Sequence, residues 1–436
     1  MPCVLYLLAL AVFAQGTSEF MLSGLVSDIA ADMGVSVPAA GALTSAFAVG
    51  MIVGAPLLAV LSLRWPRRRA LLGFLTAFLL AHVVGALTAH FGVLLATRVV
   101  GALANAGFLA VALTTATALV PPDAKGRATS VLLGGTTLAC VAGVPGGALL
   151  GQLWGWRAAF WAVALITLPA VVAVARAVPA HSPAPAHGTA TAPQPVPEQG
   201  TVPEQGIAPG RSPAPARPRA RTELRALRAP RLLVTLLLGA LVNGATFCVF
   251  TYLEPLATHV TGIGDAWIPA LLALFGLGSS VGVALGGRLA DSRPVPLLAG
   301  GTVALLAGWM VFALTAGNPV AAVVCVFVQG ALSFAVGSTL ISQAMYAATR
   351  APTLAGGFAT AAFNLGAALG PWAGGRAISA GFGYRSPLWV GAFLVALAPA
   401  TAAMAWVAVR RAPEPWCTAG PPRPSRGRGR RPARRR

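Results

Sequence analysis

The sequence predicts an all-α polytopic membrane protein with twelve transmembrane helices in two six-helix repeats, and three observations carry that expectation. Of 436 residues, 56% are hydrophobic and only 10% charged, with a mean hydropathy of +0.76. A water-soluble domain carries roughly 25% charged residues, so this chain lacks the polar surface to stay in water. Apolar runs of about twenty residues, enough for a helix to cross a hydrocarbon core of about 30 Å, recur along it. The third observation is that the two ends of the chain repeat each other.

The apolar runs place spans at 3–27, 38–62, 69–89, 92–119, 129–151 and 157–176, then at 231–254, 267–289, 295–316, 319–347, 353–380 and 386–409. Only Met1 and Pro2 precede the first run, which is too long for the apolar core of a secretory signal, so it is expected to stay as a span. An N-terminal bundle over 1–176 and a C-terminal bundle over 231–410 follow. Between them, 177–230 is rich in Pro and Ala and repeats VPEQG at 196–200 and 202–206. Such a stretch cannot form a packed core and reads as a cytoplasmic linker, with a docking role as the lesser alternative.

Charge sets the orientation. The net charge is +20, and only Arg98, Arg157, Arg376 and Arg385 among the 31 basic residues fall outside the loops, linker and tail assigned to one side. The opposite loops carry Asp28, Asp32 and Asp265. That asymmetry places both termini in the cytoplasm of a cell whose plasma membrane holds the protein. The tail 411–436, ending RGRGRRPARRR, emerges straight from the last span and reads as an inner-leaflet anchor rather than a nucleic-acid arm.

Comparing the halves sharpens the picture. At a shift of 228 residues QGTS at 15–18 meets NGAT at 243–246, GMIVG at 50–54 meets GSSVG at 278–282, and GWRAAFW at 155–161 meets GYRSPLW at 383–389. At a shift of 229, GAL at 101–103 meets GAL at 330–332. Parallel six-plus-six repeats of this kind build a major class of secondary transporters, with the site at the repeat interface. Glu19 falls on Phe247 and Arg98 on Val326 or Phe327, so neither buried charge is required by the scaffold. Helical rise puts both about 10 Å inside the membrane boundary. A charge near the bilayer centre costs about 2.5–3.5 kcal/mol on insertion scales and therefore faces a partner or a wet cavity. Glu19 and Arg98 could form a structural ion pair. The reading preferred here is a titratable carboxylate on the transport path, with Arg98 as its partner.

Other polar residues in spans, Gln15, Asn105, Asn243, Gln329, Gln343 and Asn364, could bond to substrate or merely to a neighbouring helix. Glu254, before Pro255, sits at a span end where water is near. Span 5 carries GVPGGALLG with Gly143, Pro145, Gly146 and Gly147, and span 11 carries GAALGPWAGG with Gly370 and Pro371. Proline within a span and closely spaced glycines suit a bendable gate, and also suit ordinary close packing. The loop RWPRRR (Arg64, Arg67, Arg68) and its second-half counterpart GRLADSRP (Gly287, Asp291) could latch two helices or serve as plain positive anchors. No GxxxxGK[ST] loop occurs, so the chain has no phosphate-binding loop with which to spend ATP. Eleven acidic residues and five histidines are too scattered for a metal site or an enzyme, and five single cysteines read as packing residues.

These motifs resemble the twelve-span major facilitators of the drug:proton antiporter branch over 1–176 and 231–410. RWPRRR resembles that family's loop between spans 2 and 3. Arg98 followed by Gly101 resembles its span-4 arginine motif, whose arginine the family uses in proton handling. The span-5 glycines resemble its antiporter motif. Leu63 stands where the first loop motif has Asp, and Ala59 where it has Gly, which counts against a latch there. FAQGTSEFMLSG, RWPRRRALL, GALANAGFLAVAL and KGRATSVLLGG are similar to the chloramphenicol-resistance exporters of actinobacteria. The resemblance implies efflux of a small-molecule drug in exchange for protons, by alternating access, in a monomer. No cofactor, metal or nucleic acid is expected. Export of sugars or other metabolites is the alternative within transport, and a non-transporting membrane enzyme or receptor the alternative outside it.

Overall fold

The computed structural model of the protein describes residues 3–62, 65–121, 124–177, 230–290, 294–347 and 355–411. Arg64, Asp291, nearly all of the linker and the tail from 412 onward lie outside them. In the first half the helices are α1 (Cys3–Phe20), α2 (Val26–Met33), α3 (Val37–Ser62), α4 (Arg67–Leu87), α5 (Phe91–Ala118), α6 (Lys125–Leu138), α7 (Val144–Trp154) and α8 (Trp156–Ala177). In the second they are α9 (Pro230–Thr251), α10 (Leu253–Leu256), α11 (Ile268–Leu289), α12 (Pro294–Thr315), α13 (Pro319–Ala347), α14 (Ala355–Ala377) and α15 (Ser386–Arg411).

Ten helical segments among the described residues are long and apolar enough to cross a membrane. They are the first ten spans, with α6 and α7 joined into one. α14 and α15 are the eleventh and twelfth. α14 is rich in Ala and Gly and carries Asn364 and Arg376, which lowers its hydropathy. The expected helix over 3–27 is not continuous. α1 ends at Phe20, a 3₁₀ turn covers Met21–Gly24, and α2 is a separate short helix closed by Gly34 in a left-handed conformation (φ 64°).

The duplication has a physical reason. Within the first half α3 packs on α5, α1 on α6, and α4 on α8; within the second α11 packs on α13, α9 on α14, and α12 on α15. These contacts use the repeated small residues. A side chain on Gly50 or Gly54 would strike α5, and one on Gly278 or Gly282 would strike the backbone of α13. Gly155 and Gly383, which precede α8 and α15, both have positive φ (82° and 72°), a region that favours glycine. The repeated patterns thus encode helix approach and two tight turns, the features that a lipid-embedded bundle of small residues depends on.

The halves meet along two symmetry-related seams, α3 against α14 and α6–α7 against α11. Ser45 Oγ donates to the Ala368 carbonyl (2.7 Å), Ala48 and Phe247 pack with Ala367 and Ala368, and Gly276 lies against the Cys140 carbonyl. Tyr252 is buried between α3 and α14, against Gly41, Gly374 and Gly375, and donates to the Pro371 carbonyl (2.9 Å). All these contacts lie in the middle of the bundle or toward the end that carries Asp28, Asp32 and Asp265, here called the acidic end. At the other, basic, end α3 exposes Leu57 and Leu61.

Gly366 faces the Ala240 carbonyl of α9 with no room for a Cβ. Gly366→Ala is expected to lower stability by about 1–3 kcal/mol, the usual cost of overpacking. Gly287→Ala, which meets open space, is expected to stay within about 0.5 kcal/mol. Thermal unfolding of the purified variants in detergent checks this pair.

Candidate functional site

The last two turns of α1 are held by close approach to the fifth span. Gly135, Gly143 and Gly147 leave no room for a side chain where Ala9, Thr17 and Met21 pass, and Gly16 lies against Ala139 and Thr136. The fifth span accommodates Pro145 with a π turn over Ala139–Gly143. Such turns absorb the mismatch left where the backbone hydrogen-bond ladder is interrupted. Gly146 meets open space, so of the two adjacent glycines only Gly147 is spent on contact, with Met21 just past the end of α1.

This contact fixes the direction of Ser18 and Glu19. Ser18 is buried and faces α4 and α5. Arg98 Nη1 donates to its Oγ and Nη2 to its carbonyl oxygen, both at 2.8 Å. The Ser18 Oγ lies 2.6 Å from His82 Nε2, and His82 Nδ1 lies 2.7 Å from the Phe78 carbonyl oxygen. Arg98 is 2% exposed and its guanidinium sits over the Phe47 ring, 4.6 Å from the centroid. Its Nε has no partner among the described residues. Ser18 and His82 were not singled out from the sequence. The signal was present in QGTS, whose serine lies between the glycine–threonine contact and the carboxylate.

Glu19, one residue on, is half-buried and within coulombic reach of Arg98 and the Cys140 thiol. It makes no hydrogen bond or ion pair among the described residues. The ion pair found there is Arg157–Asp32 (2.5 Å), at the acidic end. Arg98 and Glu19 are therefore brought close but not paired, because Ser18 occupies both terminal nitrogens of the guanidinium.

The remaining candidates divide. Gln15, 1% exposed and one turn before Glu19, has no partner for either amide atom among the described residues. Asn105, two turns from Arg98 on α5, approaches Met51 Sδ at 3.7 Å. Asn243 donates to the Phe363 carbonyl (2.7 Å) and so joins α9 to α14. Gln329 donates to the Leu305 carbonyl (3.1 Å), leaving its own oxygen without a partner, and Asn364 bonds within its own helix to Thr360 (2.9 Å). Gly370 lies against Gly244 and Pro371 receives Tyr252, so the span-11 motif packs helices in this state. In the first loop Arg68 donates to the Ala175 carbonyl within its own half and Arg67 is exposed.

Glu254, read from the sequence as a span-end residue near water, joins the halves. Its carboxylate accepts from the Ser27 hydroxyl (2.6 Å) and backbone N–H (3.2 Å). Beside it, Gln152 donates to the Asp265 carbonyl across the same seam. A cavity of about 740 Å³ opens there, lined by Asp28, Asp32, Glu254, Asp265, Gln152 and Trp156 among others.

Residues 8–356 match the family model of the Major Facilitator Superfamily. The chain belongs to the major facilitator superfamily. It is 56% identical to the chloramphenicol resistance protein of Streptomyces lividans, over 91% of this chain and 95% of that one. It is 34% identical to the inner membrane transport protein YdhP of Escherichia coli (94% and 97% covered), and 32% identical to a chloramphenicol efflux pump of Mycobacterium tuberculosis (85% and 84% covered). Among solved structures, a bacterial homologue of the human lysosomal transporter Spinster, inward-facing and unoccupied, superposes with a TM-score of 0.70. It covers 93% of this chain and 96% of its own at 18% identity, which establishes the shared fold.

The acidic seam is expected to make its own closure depend on pH. Partial desolvation pushes the Asp28 carboxyl, which still reaches water, above the ordinary carboxylate range, with Asp265 adding to the effect. Burial also raises Glu254; the Ser27 hydrogen bonds oppose it, and the Asp28 and Asp265 charges reinforce it. When the halves part at this end the carboxyls return to water, so the closed form binds protons more tightly. Closure is favoured as pH falls and weakened as pH rises through the raised values. Spin labels on Leu153 and Trp267, both exposed beside the seam, are expected to shift toward shorter distances between about pH 8 and about pH 5. Glu254→Gln combined with Asp28→Asn should flatten that response.

Proposed function

We propose that this facilitator exports chloramphenicol from the cell by proton antiport, with Glu19 as the proton site. The 56% identity to a chloramphenicol resistance protein over nearly the whole chain supports the substrate. The observation that carries the mechanism is a half-buried carboxylate in a membrane span, close to a buried arginine yet without a hydrogen-bond or ion-pair partner among the described residues. Membrane-embedded acids of this kind mark proton and substrate pathways.

In this reading the protein lies in the plasma membrane as a monomer with both termini in the cytoplasm, so the basic end faces inward. The bundles 1–176 and 231–410 move against each other, tethered by 177–230. The state described here is closed at its outer, acidic end, the form that receives drug from the cytoplasm. With Glu19 ionised, its carboxylate accepts hydrogen bonds from the hydroxyl and amide groups of the drug. Passage to the outward form exposes Glu19 to external protons. Protonation removes the acceptor charge and weakens the hold on drug. The released carrier, protonated at Glu19, then closes its outer seam and returns, and the proton leaves inward. The proton gradient is the energy source and the chain needs no cofactor.

Expression of Glu19→Gln in a drug-sensitive host tests the assignment. Uncoupler-sensitive chloramphenicol efflux and the accompanying resistance should fall to the level of cells without the gene, with the protein present in the membrane at normal abundance. Proton-driven efflux equal to the parent's would remove Glu19 from the mechanism. A panel of antibiotics and sugars in the same cells separates drug export from metabolite export.

A further inference from the structure

Glu19 remains unpaired although a guanidinium lies close by, and the hydrogen bonds around Ser18 explain how. A guanidinium can only donate, so Ser18 Oγ accepts from Arg98 Nη1. The Phe78 carbonyl can only accept, so His82 Nδ1 carries a hydrogen and donates to it. In the neutral ring Nε2 is then an acceptor, and the Ser18 hydroxyl hydrogen has one place to go, 2.6 Å away. Donors and acceptors form a single directed chain: Arg98 to Ser18, Ser18 to His82, His82 to Phe78. A doubly protonated ring would break it, because Ser18 Oγ would face two cationic donors and its own hydrogen would lose its acceptor.

Every member of the chain is fixed. His82 is 2% exposed, tilted against Phe78 (4.2 Å between ring centroids) and Phe160 (5.8 Å), and contributes nothing that the proposed transport step uses directly. The titratable groups that face this network are Arg98 from α5, Glu19 from α1, and Cys140 from the π turn of the fifth span. From α3 comes the uncharged ring of Phe47, and from α8 that of Phe160.

We propose that His82 is a positioning residue that holds Arg98 on Ser18, through the Ser18 hydroxyl, and thereby keeps the Glu19 carboxylate unpaired. It orients the hydroxyl so that its lone pairs face Nη1. When the Ser18 oxygen is removed or its hydrogen turns elsewhere, Nη1 is released and the acceptor within reach is the Glu19 carboxylate. The resulting ion pair would hold Glu19 ionised and withdraw it from proton exchange. This rests on the reading of Glu19 as the proton site, but the arrangement of Arg98 can be tested separately.

The test uses the full chain purified into lipid vesicles, with covalent labelling of Glu19 by a hydrophobic carbodiimide near neutral pH, quantified by mass spectrometry. Carbodiimides react with protonated carboxyls, so an ion-paired Glu19 reacts slowly. Ser18→Ala and His82→Leu are expected to lower labelling of Glu19 at least severalfold, and to make proton-coupled drug exchange require a more acidic medium. His82→Gln supplies an acceptor near the position of Nε2 and is expected to keep labelling close to that of the parent. Labelling unchanged in Ser18→Ala and His82→Leu, or His82→Gln indistinguishable from His82→Leu, would overturn the proposal. Should Ser18→Ala fail to fold, the two His82 variants decide it alone. Export that persists in Glu19→Gln would instead defeat the coupling role of Glu19 and leave the labelling comparison standing.

Discussion

A guanidinium inside an apolar bundle must find its hydrogen bonds within the protein, and Arg98 finds them on Ser18. The cost of placing such a charge near the membrane centre is about 2.5–3.5 kcal/mol on insertion scales. Two charge-assisted hydrogen bonds, each worth about 1.5–3 kcal/mol, offset that cost, and the Phe47 ring adds a cation–π contact. Arg98 is therefore satisfied without Glu19. That one arrangement leaves a carboxylate with an electrostatic neighbour and no bonded partner, the condition for a group that must both bind and release a proton. The second half shows what the scaffold looks like without it. At a shift of 228, Ser18, Glu19, His82 and Arg98 correspond to Thr246, Phe247, Met310 and Val326. Thr246 bonds back to Val242 of its own helix, and Phe247 packs on Phe20 at 5.5 Å. One bundle carries the charges and its twin presents aromatic surface to the same α1 terminus.

The twelve-span architecture and the repeat were legible because both rest on composition and spacing. Runs of apolar residues have the length of a membrane, and the matched glycines mark the contacts of α3 with α5 and of α11 with α13. Glu19 was legible because a charge in an apolar run stands out and because its repeat position lacks one. His82 was not legible. A single histidine in a greasy helix carries no pattern, and its partner Ser18 lies 64 residues away. Glu254 was read as a residue near water, since nothing local reveals that Ser27 of the other half comes to meet it. The polar residues Asn243, Asn364 and Gln329 looked the same as Gln15 in the sequence. Only the folded chain separates three that bond to backbone carbonyls from one whose amide is left without a partner.

The two seams link these local features to movement. α3 with α14, and α6–α7 with α11, are related by the same internal symmetry that relates the bundles, so opening one end while closing the other preserves the type of contact. At the acidic end polar contacts, Ser27 with Glu254 and Gln152 with the Asp265 backbone, stand beside apolar ones, Gly24 against Leu272 and the Tyr252 ring between glycines. The polar pairs can exchange their partners for water when this end opens, which suits a gate. In the proposed mechanism the seam carboxyls and Glu19 respond to the same external acid, so both favour the return of the empty carrier.

The most direct test of the account is a count of protons rather than of drug. Purified protein in weakly buffered detergent solution, at a pH where Glu19 is partly protonated, is titrated with chloramphenicol while a pH indicator is followed. If drug and proton compete at Glu19, saturating drug releases protons from the parent protein and none from Glu19→Gln. Drug binding by the parent with no proton release, or equal release from the variant, would contradict the coupling of export to this carboxylate.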